Sequence, residues 1–281
     1  MTEVKLNLDY ELYEEGKKLE AMIEELANSE AGLQLESLII GDWGGAYEND
    51  SSDIVNSLVA LKDKFPALRR LFIGDMSYEE CEVSWITQSN LAPLLTAYPE
   101  LLSLTIKGST GLELDPARHE KLEELIIICG GLGKSVISSI QEGSFPRLKK
   151  LELYLGVDEY GFDGGLEDVL TLVEPGKFPE LTYLGLKDSE IQDDIAIALA
   201  DAPIIDQLHT LDLSQGTLTD TGAEALLHSE RVKKLQKLDL SYHYMSDEMM
   251  NRWKQSGLNV DISDQQAADD DEDYRYPSLT E

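Results

Sequence analysis

The chain has 281 residues, 42% hydrophobic and 28% charged, and its 55 Asp and Glu outnumber 23 Lys and Arg to leave a formal charge of -32. That length buries a sizeable core or a stacked array, which argues against a small module held by disulfides or metal. A charge so far outside the magnitude of about 2 to 8 suited to a small soluble domain repels phosphate backbones and anionic lipid. No basic patch offsets it, so neither nucleic acid nor membrane is expected as a partner.

The chain opens with MTEVKLNLDY, which lacks the basic and apolar regions of a signal peptide. Residues 9–27 place Leu12, Leu19, Met22, Ile23 and Leu26 among many Glu and Lys, predicting an amphipathic capping helix within an N-terminal cap at 1–34. From there the pattern L-x-x-L-x-[L/I] recurs eight times, starting at Leu35, Leu68, Leu101, Leu122, Leu148, Leu181, Leu208 and Leu235, with separations of 33, 33, 21, 26, 33, 27 and 27 residues. Eight copies in order predict a solenoid at 35–263. Each hexamer alternates, as in Leu211, Asp212 and Leu213, and so predicts a strand.

Helical segments are predicted at 53–64, 86–97, 134–142, 166–174, 193–201, 220–229 and 247–256. The last units align at 27-residue offsets: Ile191, Leu218 and Met245, then Asp193, Asp220 and Asp247, then Leu199, Leu226 and Trp253. Each Asp is placed to accept unpaired backbone N–H groups at its own helix start. Pro66, Pro99, Pro146 and Pro179 precede strands and break the helices there, so Phe65, Tyr98, Phe145 and Phe178 can plug the seams between units. The 21-residue step after Leu101 leaves STGLELDPARHEK, too little for an ordinary helix. Three units are six residues longer than 27, the surplus falling after the strand, in GDWGGAYENDSSD, GDMSYEECEVSW and LGVDEYGFDGG, which places these loops on one rim. NVDIS supplies a last strand, and 264–281 (DQQAADDDEDYRYPSLTE) reads as a disordered acidic tail.

LDLSQGTLTDTGAEALLHS, from Leu211 to Ser229, resembles the strand, loop and helix unit of ribonuclease-inhibitor-like leucine-rich-repeat proteins. The resemblance implies an α/β horseshoe, with parallel strands on the concave face and helices on the convex one, and a role in protein–protein recognition. The blocks SLIIGDW, CEVSWITQSNLAPLLTAYPEL, GGLG, YLGVDEYG and YLGLKDSE are similar to a bacterial leucine-rich-repeat family associated with WGR-domain proteins, which implies a cytoplasmic bacterial setting. Where such units often carry Asn or Cys in the turn, this chain has Trp43, Met76, Ser109, Gly130, Gly156, Ser189, Gly216 and His243.

Outward strand positions mix apolar, aromatic and charged side chains, and Tyr154, Tyr183, Asp212 and Asp239 are the candidates for contact there. The rim loops add Trp43, Tyr47, Tyr78, Tyr160 and Phe162 as a binding lip. Trp85, beside a helix start, is expected to be buried. Asp75, Glu79, Glu80 and Glu82 cluster in one loop, but a chain with 55 acids makes such clusters by number alone. His119, His209, His228 and His243 share no metal-ligand spacing, and no glycine cluster has a phosphate-binding pattern. Neither cysteine has a histidine partner by spacing, and two cysteines make no disulfide framework. The reading that follows is a non-catalytic recognition module or scaffold without metal or cofactor, whose partner is a protein with a basic surface. The alternatives are an inhibitor or immunity protein that occludes a basic nuclease or toxin, with Asp212 and Asp239 mimicking phosphate, and a hydrolase sited in the rim loops.

Overall fold

The leucine repeat becomes a ladder because its apolar positions face one way. The first leucines Leu35, Leu101, Leu122 and Leu148, the fourth leucines Leu38, Leu104, Leu151 and Leu184, and the sixth residues Ile40, Ile73, Ile106, Ile127, Leu153, Leu186, Leu213 and Leu240 all have no exposed surface. A computed structural model describes residues 2–268 and 274–280. They fall into two compact units, one comprising residues up to Ile128 with Ser138–Leu148, the other Cys129–Ile137 with the described residues from Lys149 to Thr280.

In the first unit the strands β1 (Glu3–Leu6), β2 (Ser37–Ile40), β3 (Arg70–Ile73), β4 (Ser103–Lys107) and β5 (Glu124–Ile128) are parallel and paired in chain order. The register keeps equivalent repeat positions side by side: Leu38 meets Leu71, Leu71 meets Leu104, and Leu104 meets Leu125. The helices α1 (Tyr10–Glu14), α2 (Leu19–Ala27), α3 (Glu30–Gln34), α4 (Ser52–Ala60) and α5 (Ala92–Ala97) join them. The predicted capping helix therefore divides, with Asp9 capping α1 through the Leu12 N–H and Leu19, Ile23 and Ala27 forming the buried stripe of α2. Strand β1 is outside the predicted elements; its four residues pair with β2 and cover the edge that β2 would leave open.

The helix predicted at 86–97 is confined to α5, because Pro93 occupies its first turn and the preceding residues pair elsewhere, Thr87 with Thr110 and Asn90 with Glu113. The short unit after Leu101 has no helix among its described residues; its backbone bridges neighbouring segments instead, including Arg118 to Ser144.

In the second unit the strands β6 (Lys150–Gly156), β7 (Tyr183–Ser189), β8 (Thr210–Asp212), β9 (Lys237–Asp239) and β10 (Val260–Asp261) repeat the arrangement, again parallel and in chain order. The helices α7 (Leu166–Leu170), α8 (Gln192–Ala200), α9 (Asp220–His228) and α10 (Asp247–Gln255) follow their strands, while α6 (Lys134–Glu142) crosses the division between the units. This is the α/β leucine-rich-repeat solenoid. Phe65, Tyr98, Phe145 and Phe178 are all buried, as the prolines behind them predict.

The aspartates of the last helix starts act differently from expectation. Asp193 Oδ1 accepts the N–H groups of Thr219 (2.8 Å) and Gly222 (3.1 Å), which belong to the start of α9, not α8. Asp220 in turn accepts the Ser246 N–H and hydroxyl, both at 2.7 Å, at the start of α10. The caps within each helix are Thr219 and Ser246 themselves. Successive helices stack, so each Asp meets unpaired donors of the next repeat.

In the segment expected as a disordered tail, the described residues make contacts with the second unit. His243 pairs with Gln265, and Tyr274–Thr280 lies along the ends of the strands of the second unit. Residues 269–273 and 281 of that segment lie outside the described residues.

Candidate functional site

On the strand face of the second unit, outward positions of β6, β7 and β8 bring two lysines, two acids and two tyrosines together. Side by side in the register stand Lys150 and Tyr183, and Tyr154 and Lys187. The Lys150 ammonium is 2.8 Å from Glu152 Oε2 and 4.5 Å from the centre of the Tyr183 ring. Lys187 lies 3.6 Å from Glu152 Oε1, 3.4 Å from Asp212 Oδ2 and 4.9 Å from the Tyr154 ring centre. The Tyr183 hydroxyl donates to Asp212 Oδ2 at 2.6 Å, and the Ser214 N–H donates to Asp212 Oδ1 at 3.0 Å.

Glu152 and Asp212 are buried although they occupy outward positions, because the tyrosine rings and lysine stems cover them. Gly185 makes room: a Cβ there would stand 3.1 Å from Glu152 Cγ. Burial works against the Glu152 carboxylate, but Lys150 and Lys187 outweigh it and hold its pKa below the usual range. Burial also works against the Lys187 ammonium, and Asp212, Tyr154 and Glu152 together hold its pKa above the usual value. Tyr183 is raised by burial and by Asp212, so it remains a phenol and a donor. One strand further, Lys237 and Asp239 pair at 2.8 Å; burial opposes the Asp239 carboxylate, but Lys237 and Ser241 outweigh it and lower its pKa.

The arrangement is therefore neutralised internally. Asp212 and Asp239, expected to offer acids to a basic partner, are each spent on a lysine and on a turn N–H, with Ser214 and Ser241 as donors. Tyr154 and Tyr183 are half-buried lids over these pairs. The pairing could not be read from the sequence, since Lys187 and Glu152 meet across strands 35 residues apart.

The aromatic lip expected on the long loops divides. Trp43 is 6% exposed and Phe162 is 3% exposed, so both sit in the core. Trp43 can turn inward because its indole N–H donates to the Asn49 carbonyl at 2.9 Å, and Phe162 has no polar atom to keep in water. Trp85 is the reverse case: expected to be buried, it is 58% exposed, because Val83 and Ile86 take the inward places around its short 3-10 turn. Tyr47 and Tyr78 are exposed, and Tyr160 is half-buried.

In the first unit Tyr47, Tyr78 and Trp85 stand on loops that are tied down. Asn49 donates to the Gly44 carbonyl at 2.8 Å. Glu80 accepts from Ser77 N–H at 2.7 Å and from the Asn7 amide at 3.0 Å. Those bonds, that to Ser77 foremost, hold its pKa below the usual carboxylate range. Asp75 pairs with Lys5 at 2.9 Å. Asp75 and Glu80 thus serve this loop's own backbone and the side chains of Lys5 and Asn7.

The chemistry of the remaining candidates is structural. Burial, with Asp42 and Glu82 nearby, pushes the Cys81 thiol up to about 11, far from a reactive thiolate. His119 Nδ1 accepts the Leu122 N–H at 2.8 Å, so its Nε2–H donates to the Tyr98 carbonyl at 3.0 Å. His243 repeats this between the Met245 N–H and the Ile262 carbonyl, and burial lowers its pKa. Among the described residues no cluster of three His, Cys, Asp or Glu is placed to hold a metal ion, and no helix is long and apolar enough to cross a membrane.

Comparison with known proteins agrees with this construction. A family model described as a leucine rich repeat matches residues 208–227, one strand, turn and helix. No curated protein matches the chain. Among solved structures, an internalin from Listeria monocytogenes covers 95% of this chain and 87% of its own, at 12% identity and a TM-score of 0.30. The crystal structure of a Bacteroides fragilis protein is similar at a TM-score of 0.90 and 37% identity, over 99% of this chain and 77% of that one. With that identity and coverage, the chain belongs to the same family as the Bacteroides fragilis protein.

Proposed function

We propose that the chain is a non-catalytic protein-recognition module of a bacterial cytoplasm, and that Tyr47, Tyr78 and Trp85 are its contact residues in the first unit. The observation that carries the reading is their exposure, 59%, 62% and 58%, on loops whose backbones are held by side-chain hydrogen bonds. Large rings presented rigidly gain contact area at low entropic cost. Leucine-rich-repeat folds are commonly used for protein interaction, which agrees with this assignment. The strand-face cluster of the second unit supports it too: it offers tyrosine rings over a neutral network in place of converging acid and base groups. A partner with a basic surface would be steered by the net charge of -32. Association with WGR-domain proteins is the narrower form of the reading.

The test is affinity capture from a bacterial lysate at two salt concentrations with the full chain and with a Tyr47→Ser, Tyr78→Ser, Trp85→Ser variant. A protein retained by the first and lost with the second supports the lip. An identical set of captured proteins refutes it.

A further inference from the structure

The three last full repeats share a backbone feature beyond their helices. Asp188, Gln215 and Tyr242, spaced by 27 residues at the ends of β7, β8 and β9, are left-handed, with φ of 54°, 68° and 58°. This conformation is rare outside glycine. It is held in place by a continued ladder in which Asp188 donates to Ser214, Gln215 to Ser241 and Tyr242 to Ser263, all carbonyls, at 2.8 to 2.9 Å. Across this row runs the described part of the C-terminal segment.

Main-chain groups of the segment bond to this row. The Tyr244 hydroxyl accepts the Tyr276 N–H at 3.0 Å and donates to the Tyr276 carbonyl at 2.9 Å, and the Tyr242 hydroxyl donates to the same carbonyl at 3.2 Å. The Ser278 N–H donates to the Gln215 carbonyl at 2.8 Å, and the Leu279 N–H to Asp188 Oδ1 at 2.7 Å. Pro277, the one residue of this stretch without an N–H, is buried between them. Contacts of this kind read main-chain groups and a proline ring.

We propose that the row formed by Asp188, Gln215, Tyr242 and Tyr244 is a binding strip for proline-bearing peptide, and that residues 274–280 are its built-in, displaceable occupant. The strip shares no residue with the aromatic lip of the first unit, so the inference stands or falls independently of the lip. A tethered segment competes at high effective concentration, so a ligand in solution meets an occupied strip until the segment is displaced.

The probe is a fluorescent synthetic peptide copying residues 274–281, titrated by anisotropy into the full chain and into a Ser278→Pro, Leu279→Pro variant, which lacks two of the three tail N–H donors, those to Gln215 and Asp188. The released variant binds the peptide, and the unaltered chain binds it roughly tenfold or more weakly because its own segment competes. In the released background Tyr244→Phe weakens binding several-fold, as does replacing the peptide's proline with alanine. No binding to the released variant, equal affinity for the two chains, or indifference to Tyr244 and to the proline each overturns the proposal. An unchanged melting temperature for the released variant confirms that the repeats themselves are intact, and lysate capture through Tyr47, Tyr78 and Trp85 is unaffected by any of these changes.

Discussion

Asp188 shows how one side chain sets the conditions for a contact. It has no exposed surface, its Oδ1 accepts from Leu279, and its Oδ2 has no hydrogen-bond partner among the described residues. Burial pushes its pKa up to about 8, against the smaller lowering effect of the Leu279 and Ser278 N–H groups and Lys187. The segment supplies both of those N–H groups as well as cover, and burial is the larger effect, so the chain with its segment docked favours the neutral acid. The sign follows: docking is strongest in acid, weakens as pH rises from the normal carboxyl range through about 8, and then levels off. The Leu279 methyl resonances, followed by NMR from pH 5 to 9, should report this loss in the native chain and none in Asp188→Asn, which keeps an acceptor for Leu279. Nothing in the sequence marked this residue. Its neighbours in space, 278 and 279, are about 90 positions away, and a run of acids beside them led the tail to be read as disordered.

At the scale of elements, spacing alone disclosed most strands and the later helices, because a leucine every two or three positions must be buried to be tolerated. It failed where tertiary contact overrides local pattern. Strand β1 is too short to announce itself without β2, residues 87 and 90 pair with a neighbouring segment, and the starts of α9 and α10 each take a carboxylate from the previous repeat. The glycines of CGGLG permit close backbone contact. Gly131 and Gly156 bridge, the Val157 N–H donates to the Gly130 carbonyl at 2.9 Å, and Gly156 has a φ of 72°. A Cβ on Gly156 would fall 1.7 Å from the Gly130 carbonyl oxygen. Because that neighbour is backbone, it cannot step aside as a side chain would. Gly156→Ala is therefore expected to destabilise the second unit by roughly 3 kcal/mol, measured by urea unfolding, whereas Gly165→Ala, with no atom within 4 Å of its Cβ, should cost far less.

At the scale of the whole molecule the charge of -32 decides which ionic effect dominates. The exposed ion pairs, such as Lys121 with Glu100 and Lys233 with Glu230, contribute little each. Repulsion among the surplus carboxylates is spread over the surface and is screened when the Debye length falls from about 30 Å at 0.01 M salt to about 3 Å at 1 M. The melting temperature should accordingly rise with sodium chloride; a fall would mean that surface pairs outweigh repulsion. The fold class and the role of the prolines could be argued from residues alone. Which aromatics faced water could not, because Trp43 and Trp85 occupy similar loops and differ only in what their neighbours leave uncovered.

The helix-start aspartates give the second half of the chain a modular character. Asp193 holds a threonine N–H and hydroxyl, and Asp220 holds the same two groups of a serine 27 positions on. The two joints are chemically interchangeable, so excising or duplicating one 27-residue block would present each carboxylate with a matching mate. Such a fold can lengthen or shorten by whole units without redesigning a seam, a freedom the irregular spacings of the first half do not share.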